Sequence, residues 1–264
     1  AGLAWSALRT ARAQSSLAVV YPNLNGNGAK NLGYRMLELA LSRSGTPYTL
    51  SLHPVSVNDA RARALLRKGE LSVVDFGSGA EFENTFSAVY FPIDRGLLGY
   101  RISLIHKTLQ SEFSRVTTLA QLRRYRAGQG LGWSNNAIMQ AAGIPVVTGP
   151  TLESLFPMLE AKRFDYLPLG LNEVYGFADQ YQRNAPSMVV DEHLVLVYRF
   201  ARMFYVRPGD EALRDTVLRG LQRAFADGSF QLLLNNDPSV RSAVLRAKLA
   251  QRTTITLNNP LLTP

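Results

Sequence analysis

Phe91-Pro92-Ile93-Asp94-Arg95-Gly96-Leu97-Leu98-Gly99-Tyr100-Arg101, followed by the apolar run Ile102 to Ile105, decides the reading of this chain. It has strand chemistry on its C-terminal side, two glycines in its middle and an arginine in the bend. A second strand pair, Leu194 to Tyr198 and Phe200 to Val206, follows about a hundred residues later. Between the two lies a run that alternates helix and strand by itself. The layout predicts a chain that leaves one α/β lobe, builds a second and returns. A crevice between two such lobes suits a small molecule.

Working outward, Leu17 to Tyr21 reads as a strand broken by Pro22 and an Asn/Gly-rich loop. Leu32, Met36, Leu39 and Ala40 recur at helical spacing, and Gly45 sits where that helix should stop. Tyr48 to Leu52 reads as a strand, Asp59 to Leu66 as a short helix, and Leu71 to Phe76 as a buried strand after Gly69. This β-α-β-α-β order predicts an open sheet covered by helices. Its strands should end, at Tyr21 and Phe76, on an edge where such sheets place ligands. The same order repeats after Lys107: a helix over Leu119–Tyr125, a strand and turn over Gly128–Trp133, and a helix over Asn135–Ala142. A strand at Val146–Val147, a helix behind the cap Thr151, a strand over Phe164–Pro168 and a helix from about Leu171 follow. After the return strands, Leu213, Val217, Leu221 and Ala224 mark an amphipathic helix stopped by Gly228.

The 264 residues are 46% hydrophobic and 19% charged, the composition of a folded globular chain rather than a disordered or fibrous one. No apolar run approaches the ~20 residues that span a bilayer. The absence of cysteine excludes disulfides, thiolate chemistry and cysteine-ligated metal. His53, His106 and His193 stand apart without partners at metal-ligand spacing, so no metal is expected, and no motif calls for a cofactor. Lys and Arg exceed Asp and Glu by 29 to 20, a net charge of +9, but no nucleic-acid motif accompanies the excess. A solvated basic surface is the expectation, with no nucleic-acid partner. Ala11-Arg12-Ala13 before Gln14 has the small-x-small pattern of a signal-peptide cleavage site, which predicts export. Residues 1–14 are therefore expected to be a signal-peptide remnant or an N-terminal extension.

Several stretches carry a family resemblance. Leu65-Leu66-Arg67-Lys68-Gly69-Glu70-Leu71-Ser72-Val73 gives helix, glycine and strand, and Phe91 to Lys107 a crossover. Leu159-Glu160-Ala161-Lys162-Arg163-Phe164-Asp165-Tyr166 and Ala226-Asp227-Gly228-Ser229-Phe230 complete the set. In order and spacing the chain resembles the bacterial periplasmic solute-binding proteins of amino-acid ABC transporters, and within them a divergent branch sharing Pro92–Arg101, Gly170–Glu173, Ala250–Arg252 and Asn259–Leu262. The resemblance implies a two-lobed α/β, type II periplasmic-binding-protein fold joined by two hinge strands. Lobe 1 would be 15–99 and 199–264, and lobe 2 would be 100–198. It also implies a periplasmic, non-enzymatic protein with an ABC permease or a membrane sensor as partner. Two features depart from the family. Glu81 stands near the place of its carboxylate-binding arginine, and Pro168-Leu169-Gly170 where its amine-binding aspartate belongs.

Candidate ligand contacts follow from position. Gly128-Gln129-Gly130-Leu131-Gly132 leads into Trp133, Ser134 and Asn135 at a helix start, where free N–H groups and side-chain donors seat an anion or simply cap the helix. Trp133 stacks on a ligand or completes a core, and Tyr21 and Phe76 could face it across the crevice. Ser78 lies in the turn after the Leu71–Phe76 strand. Arg95 could hold a carboxylate through two parallel hydrogen bonds, or pair with Asp94 or Glu173. Asn172 and Glu173 open a helix and could take an amine, although a glutamate there also suits the helix dipole.

The leading expectation is an extracytoplasmic binder of a small, carboxylate-bearing ligand held between Arg95 and Trp133–Asn135, with Tyr21 and Phe76 covering its apolar part. A periplasmic sensor module is the alternative. An enzyme on the same fold is the third option, with Glu81, Glu83 or Glu173 as the acid.

Overall fold

The computed structural model describes residues 16–24, 26, 28–260 and 262, without the Glu81 side chain. The expected signal remnant, residues 1–14, lies outside the described residues. In chain order the first lobe opens with β1 (Leu17–Leu24), β2 (Tyr48–Val57), β3 (Val73–Gly77) and β4 (Ser87–Val89). The second lobe contains β5 (Tyr100–His106), β6 (Ala127–Gly130), β7 (Val146–Gly149), β8 (Tyr166–Gly170), β9 (Met188–Val190) and β10 (Leu194–Val197). The chain then returns as β11 (Arg202–Val206) and finishes with β12 (Thr253–Thr256). β11 runs antiparallel between β3 and β4, so the strand that closes the first lobe comes from beyond the second. β1 pairs in parallel with β2. It is tied to the segment before β3, where Ser72 N–H donates to Val20 O at 2.9 Å. This is the out-and-back, two-lobed α/β architecture that the crossover sequence predicts.

The helix Leu32–Ser44 starts at Asn31, whose side chain accepts from Gly33 N–H at 2.8 Å, and stops at Gly45 in the left-handed region, φ 79°. Its buried stripe of Met36, Leu37, Ala40 and Leu41 meets Leu213, Val217, Leu221 and Ala224 of the helix Glu211–Ala226 in one apolar cluster. Each large apolar side chain so buried contributes roughly 1.5–3 kcal/mol. Gly220 lets the two helices approach so closely that a Cβ there would strike the carbonyl of Ala40.

The crossings differ from the expected hinge strands. Tyr90–Gly96 and Tyr198–Ala201 are irregular, and a single 3-10 turn over Leu97–Gly99 leads from the first into β5. Their anchor is Asp94, fully buried, whose carboxylate accepts from Gly96 N–H, Leu98 N–H and Arg202 N–H at 2.8–3.1 Å. Burial pushes the Asp94 carboxyl up, and those backbone donors oppose the shift. One side chain thus ties the outward crossing to the return.

The expected lobe boundary fails at the C-terminus. Phe230 and Leu234 pack in the first lobe, yet Ala243 and Ala247 of the helix Pro238–Ala247 join the second-lobe core, and β12 pairs in parallel with β10. Residues 199–264 therefore do not all lie in lobe 1. The chain passes between lobes a third time at Asp237, which caps the last helix through Ser239 and Val240 N–H and pairs with Arg35 of the first lobe. The second sheet has the order β12-β10-β5-β8-β6-β7, with β9 also on β5.

Candidate ligand-binding cleft

A cavity of about 160 Å³ lies between the lobes. The first lobe supplies Asp59, Arg63, Asp75, Phe76, Phe82 and Arg202; the second supplies Arg101, Trp133, Leu152, Leu169, Glu173 and Phe177. Asp59 opens the helix Asp59–Lys68, capped by Asn58, and Asp75 lies within β3. Glu173 precedes the helix Val174–Tyr181, and its carboxylate turns back to accept Gly170 N–H at 3.0 Å. That bond aims the carboxylate toward the arginines rather than along the helix.

The charged groups form one chain across the cleft. The Arg202 guanidinium donates to Asp75 at 2.8 Å and to Glu173 at 2.6 Å, one partner in each lobe. Arg101, nearly inaccessible on β5, lies 3.6 Å from Glu173 and donates through Nε to the Tyr198 hydroxyl at 2.8 Å. Tyr198 in turn donates to Asn135 Oδ1 at 2.9 Å. At the other end the buried Tyr21 hydroxyl donates to Asp75. Burial alone would lower the Arg202 pKa, but Asp75 and Glu173 together push it above the ordinary guanidinium value. Burial, reinforced by the Asp75 charge, pushes the Tyr21 hydroxyl up, so it remains a donor. Further bridges, Arg63 Nη1 to Gly132 O at 3.3 Å and Ser134 Oγ to Gly77 O at 3.4 Å, hold the lobes together over the cavity.

Asp59 is the exception. It makes no hydrogen bond or ion pair among the described residues, and loss of solvent raises its carboxyl above the usual carboxylate range despite attraction to Arg202 and Arg63. A partly buried carboxylate without a partner, on a cavity wall, can receive a donor from a bound molecule.

The sequence-predicted contacts divide. Phe76, Trp133, Ser134, Asn135 and Glu173 line the cleft together. Ser134 Oγ and Asn135 Oδ1 are already engaged with Gly77 and Tyr198, and no side chain caps the short helix Asn135–Ala141. Tyr21 sits behind the wall, fully buried, and reaches the cleft only through Asp75. Asn172 lines no cavity described here; its Oδ1 is buried without a partner.

Arg95 and Ser78 line a different cavity, bordered by both crossings. Arg95 is exposed, has φ 51°, and donates to Gln231 at 2.7 Å. Neither of its expected acidic partners holds it, since Asp94 is taken by backbone amides and Glu173 by Arg202 and Arg101. Of the three acids considered for chemistry, Glu173 lines the cleft and Glu83 the other cavity. The Glu81 side chain lies outside the described residues.

The charged residues of the cleft that sequence reasoning missed are Asp59, Arg63, Asp75, Arg101 and Arg202. Asp75 and Arg202 carried a signal: each is a charge inside an apolar strand, where an unpaired charge is too costly to bury.

No family model and no curated protein matches the chain in sequence. Solved structures do match in fold. An amino acid ABC transporter substrate-binding protein from Streptococcus pneumoniae, bound to L-arginine, superposes with a TM-score of 0.62 at 12% identity, covering 86% of this chain and 96% of that one. An ancestral arginine-binding protein bound to glutamine gives 0.64 at 13% identity, over 85% and 99%. The VFT2 domain of BvgS from Bordetella pertussis gives 0.63 at 13% identity, over 83% and 92%. The fold is that of the two-lobed type II periplasmic binding proteins, the one the sequence resemblance implied. No helix of the described residues is long and apolar enough to cross a membrane.

Proposed function

We propose that this protein is an exported solute-binding protein that captures a small polar, carboxylate-bearing molecule in the interlobe cleft for ABC import. The observation that carries the reading is the cavity itself. Both lobes wall it, and acids and arginines stand on each side, so a solute there completes contacts that exist only when the lobes are closed. Arg63 and Arg101 face the solute's carboxylate, Asp59 accepts from its donor groups, and Trp133, Phe76 and Phe177 pack its carbon skeleton. Arg95 has no part in this site.

A thermal-shift screen of amino acids, small carboxylates and polyamines tests the reading. A ligand at about a hundred times its Kd stabilises the native state by ~2.7 kcal/mol. A carboxylate hit whose shift is lost in Asp59→Asn or Arg63→Gln supports the proposal; a hit unaffected by both variants argues against this cleft.

The likeness to the BvgS domain favours one second reading, a ligand-binding module of a periplasmic sensor. Uptake of the identified solute into vesicles carrying a cognate permease supports import. Binding without uptake supports the sensor.

A further inference from the structure

The second cavity, about 570 Å³, is lined by both crossings and shares only Phe200 with the cleft. Its floor is apolar: Phe91, Phe225 and Phe230 meet edge-on or tilted with centroids 5.3–6.1 Å apart, and Pro92 and Met203 extend it. Its rim carries two exposed guanidiniums. Arg95 is held over the Phe225 ring at 6.0 Å and hydrogen-bonded to Gln231, while the Arg199 side chain has no hydrogen-bond or ion-pair partner among the described residues. Among the described side chains Glu83 is the one acid on this wall, and it already accepts from the Tyr90 hydroxyl at 3.3 Å. The size falls within the range of small-molecule pockets, and an apolar floor beneath two cations matches an amphipathic anion.

We propose that this hinge-side cavity is a second binding site, for a carboxylate with an aliphatic or aromatic body. The body lies on Phe91, Phe225 and Met203, and the carboxylate meets Arg199 and Arg95. The cavity is built from both crossings, Phe91–Gly96 outward and Arg199–Ala201 returning. Phe200 borders both this cavity and the interlobe cleft. An occupant therefore touches the segments about which the lobes move. The site stands on its own geometry and does not depend on what the cleft binds.

Decanoate, with decanamide as its uncharged counterpart, is the probe, and calorimetry on the whole chain is the measurement. One decanoate should bind per protein, with decanamide at least about fivefold weaker. The Arg95→Gln/Arg199→Gln double variant should lose about tenfold in affinity. Both residues are exposed, so thermal unfolding of the double variant should match the parent. Phe177→Ala, a cleft change, should leave decanoate binding unaltered. Absence of saturable binding overturns the proposal. So does binding that the arginine variant leaves intact, or that Phe177→Ala abolishes, because the probe then sits elsewhere.

Discussion

Arg202 donates to Glu173 at 2.6 Å across the boundary between the lobes, while its other amino group holds Asp75 within its own lobe. The closed arrangement is therefore written into an ion pair at the hinge, and not only into whatever fills the cleft. Glu173→Gln keeps the shape and removes the charge. Replacing the charged acceptor of a largely desolvated guanidinium by a neutral amide costs about 1–3 kcal/mol. The melting temperature should fall, and small-angle scattering should show a larger radius of gyration as the open form gains population. An unchanged scattering profile would mean that the pair contributes nothing to closure.

Gly77 ends β3 where a Cβ would collide with the Phe200 ring. Gly77→Ala must displace Phe200, the side chain between the two cavities, and overpacking of this kind costs about 1–3 kcal/mol. Phe200→Leu should recover part of that loss. Chemical denaturation of the single and double variants gives the coupling directly, and additive effects would place Phe200 away from Gly77.

The Asp59 carboxyl is raised by burial, which fixes the sign of its pH dependence. Above its unfolded pKa, about 3.9, the unfolded chain releases this proton before the native one, so the native state is penalised as pH rises through the window up to the raised value. Asp59→Asn should be more stable than the parent near pH 7, with the advantage shrinking toward roughly pH 4. Asp59 faces Arg202, Arg63, Asp75 and Glu173, so paired melting curves of variant and parent isolate its share. An advantage that grows on acidification would contradict the assignment.

Arg95→Ala should leave affinity for the cleft solute within about twofold, as for a surface change away from the site. A tenfold loss by calorimetry would return Arg95 to the cleft.

Much of the fold was legible because its signals are local. Gly45, at φ 79°, stops the helix it was expected to stop, Gly69 closes the next helix at the same φ, and the stripe through Leu32 and Met36 faces the core. The crossover was legible from two strand pairs separated by a complete α/β run. The third passage was not, since Thr253–Thr256 is too short and polar to announce a strand, and its partner β10 lies far back in the sequence. In the cleft, the aromatic and turn residues at strand ends were found because strand ends have a local signature. The arginine–carboxylate chain was missed because Asp75 and Arg202 are 127 residues apart, and no local pattern states that pairing. Arg95 was drawn into the cleft by its place in the crossover, yet its side chain reaches Gln231 and lines a different cavity.

The central claim is that a solute closes the two lobes over Trp133. Trp5 and Trp133 are the two tryptophans of the chain, so Trp5→Phe leaves Trp133 as the sole indole. Its emission should shift saturably, with one-to-one stoichiometry, for the carboxylate that gives the largest thermal shift, and Asp59→Asn should weaken that response. A ligand that stabilises the protein yet leaves Trp133 emission unchanged would place binding outside the cleft and contradict the account.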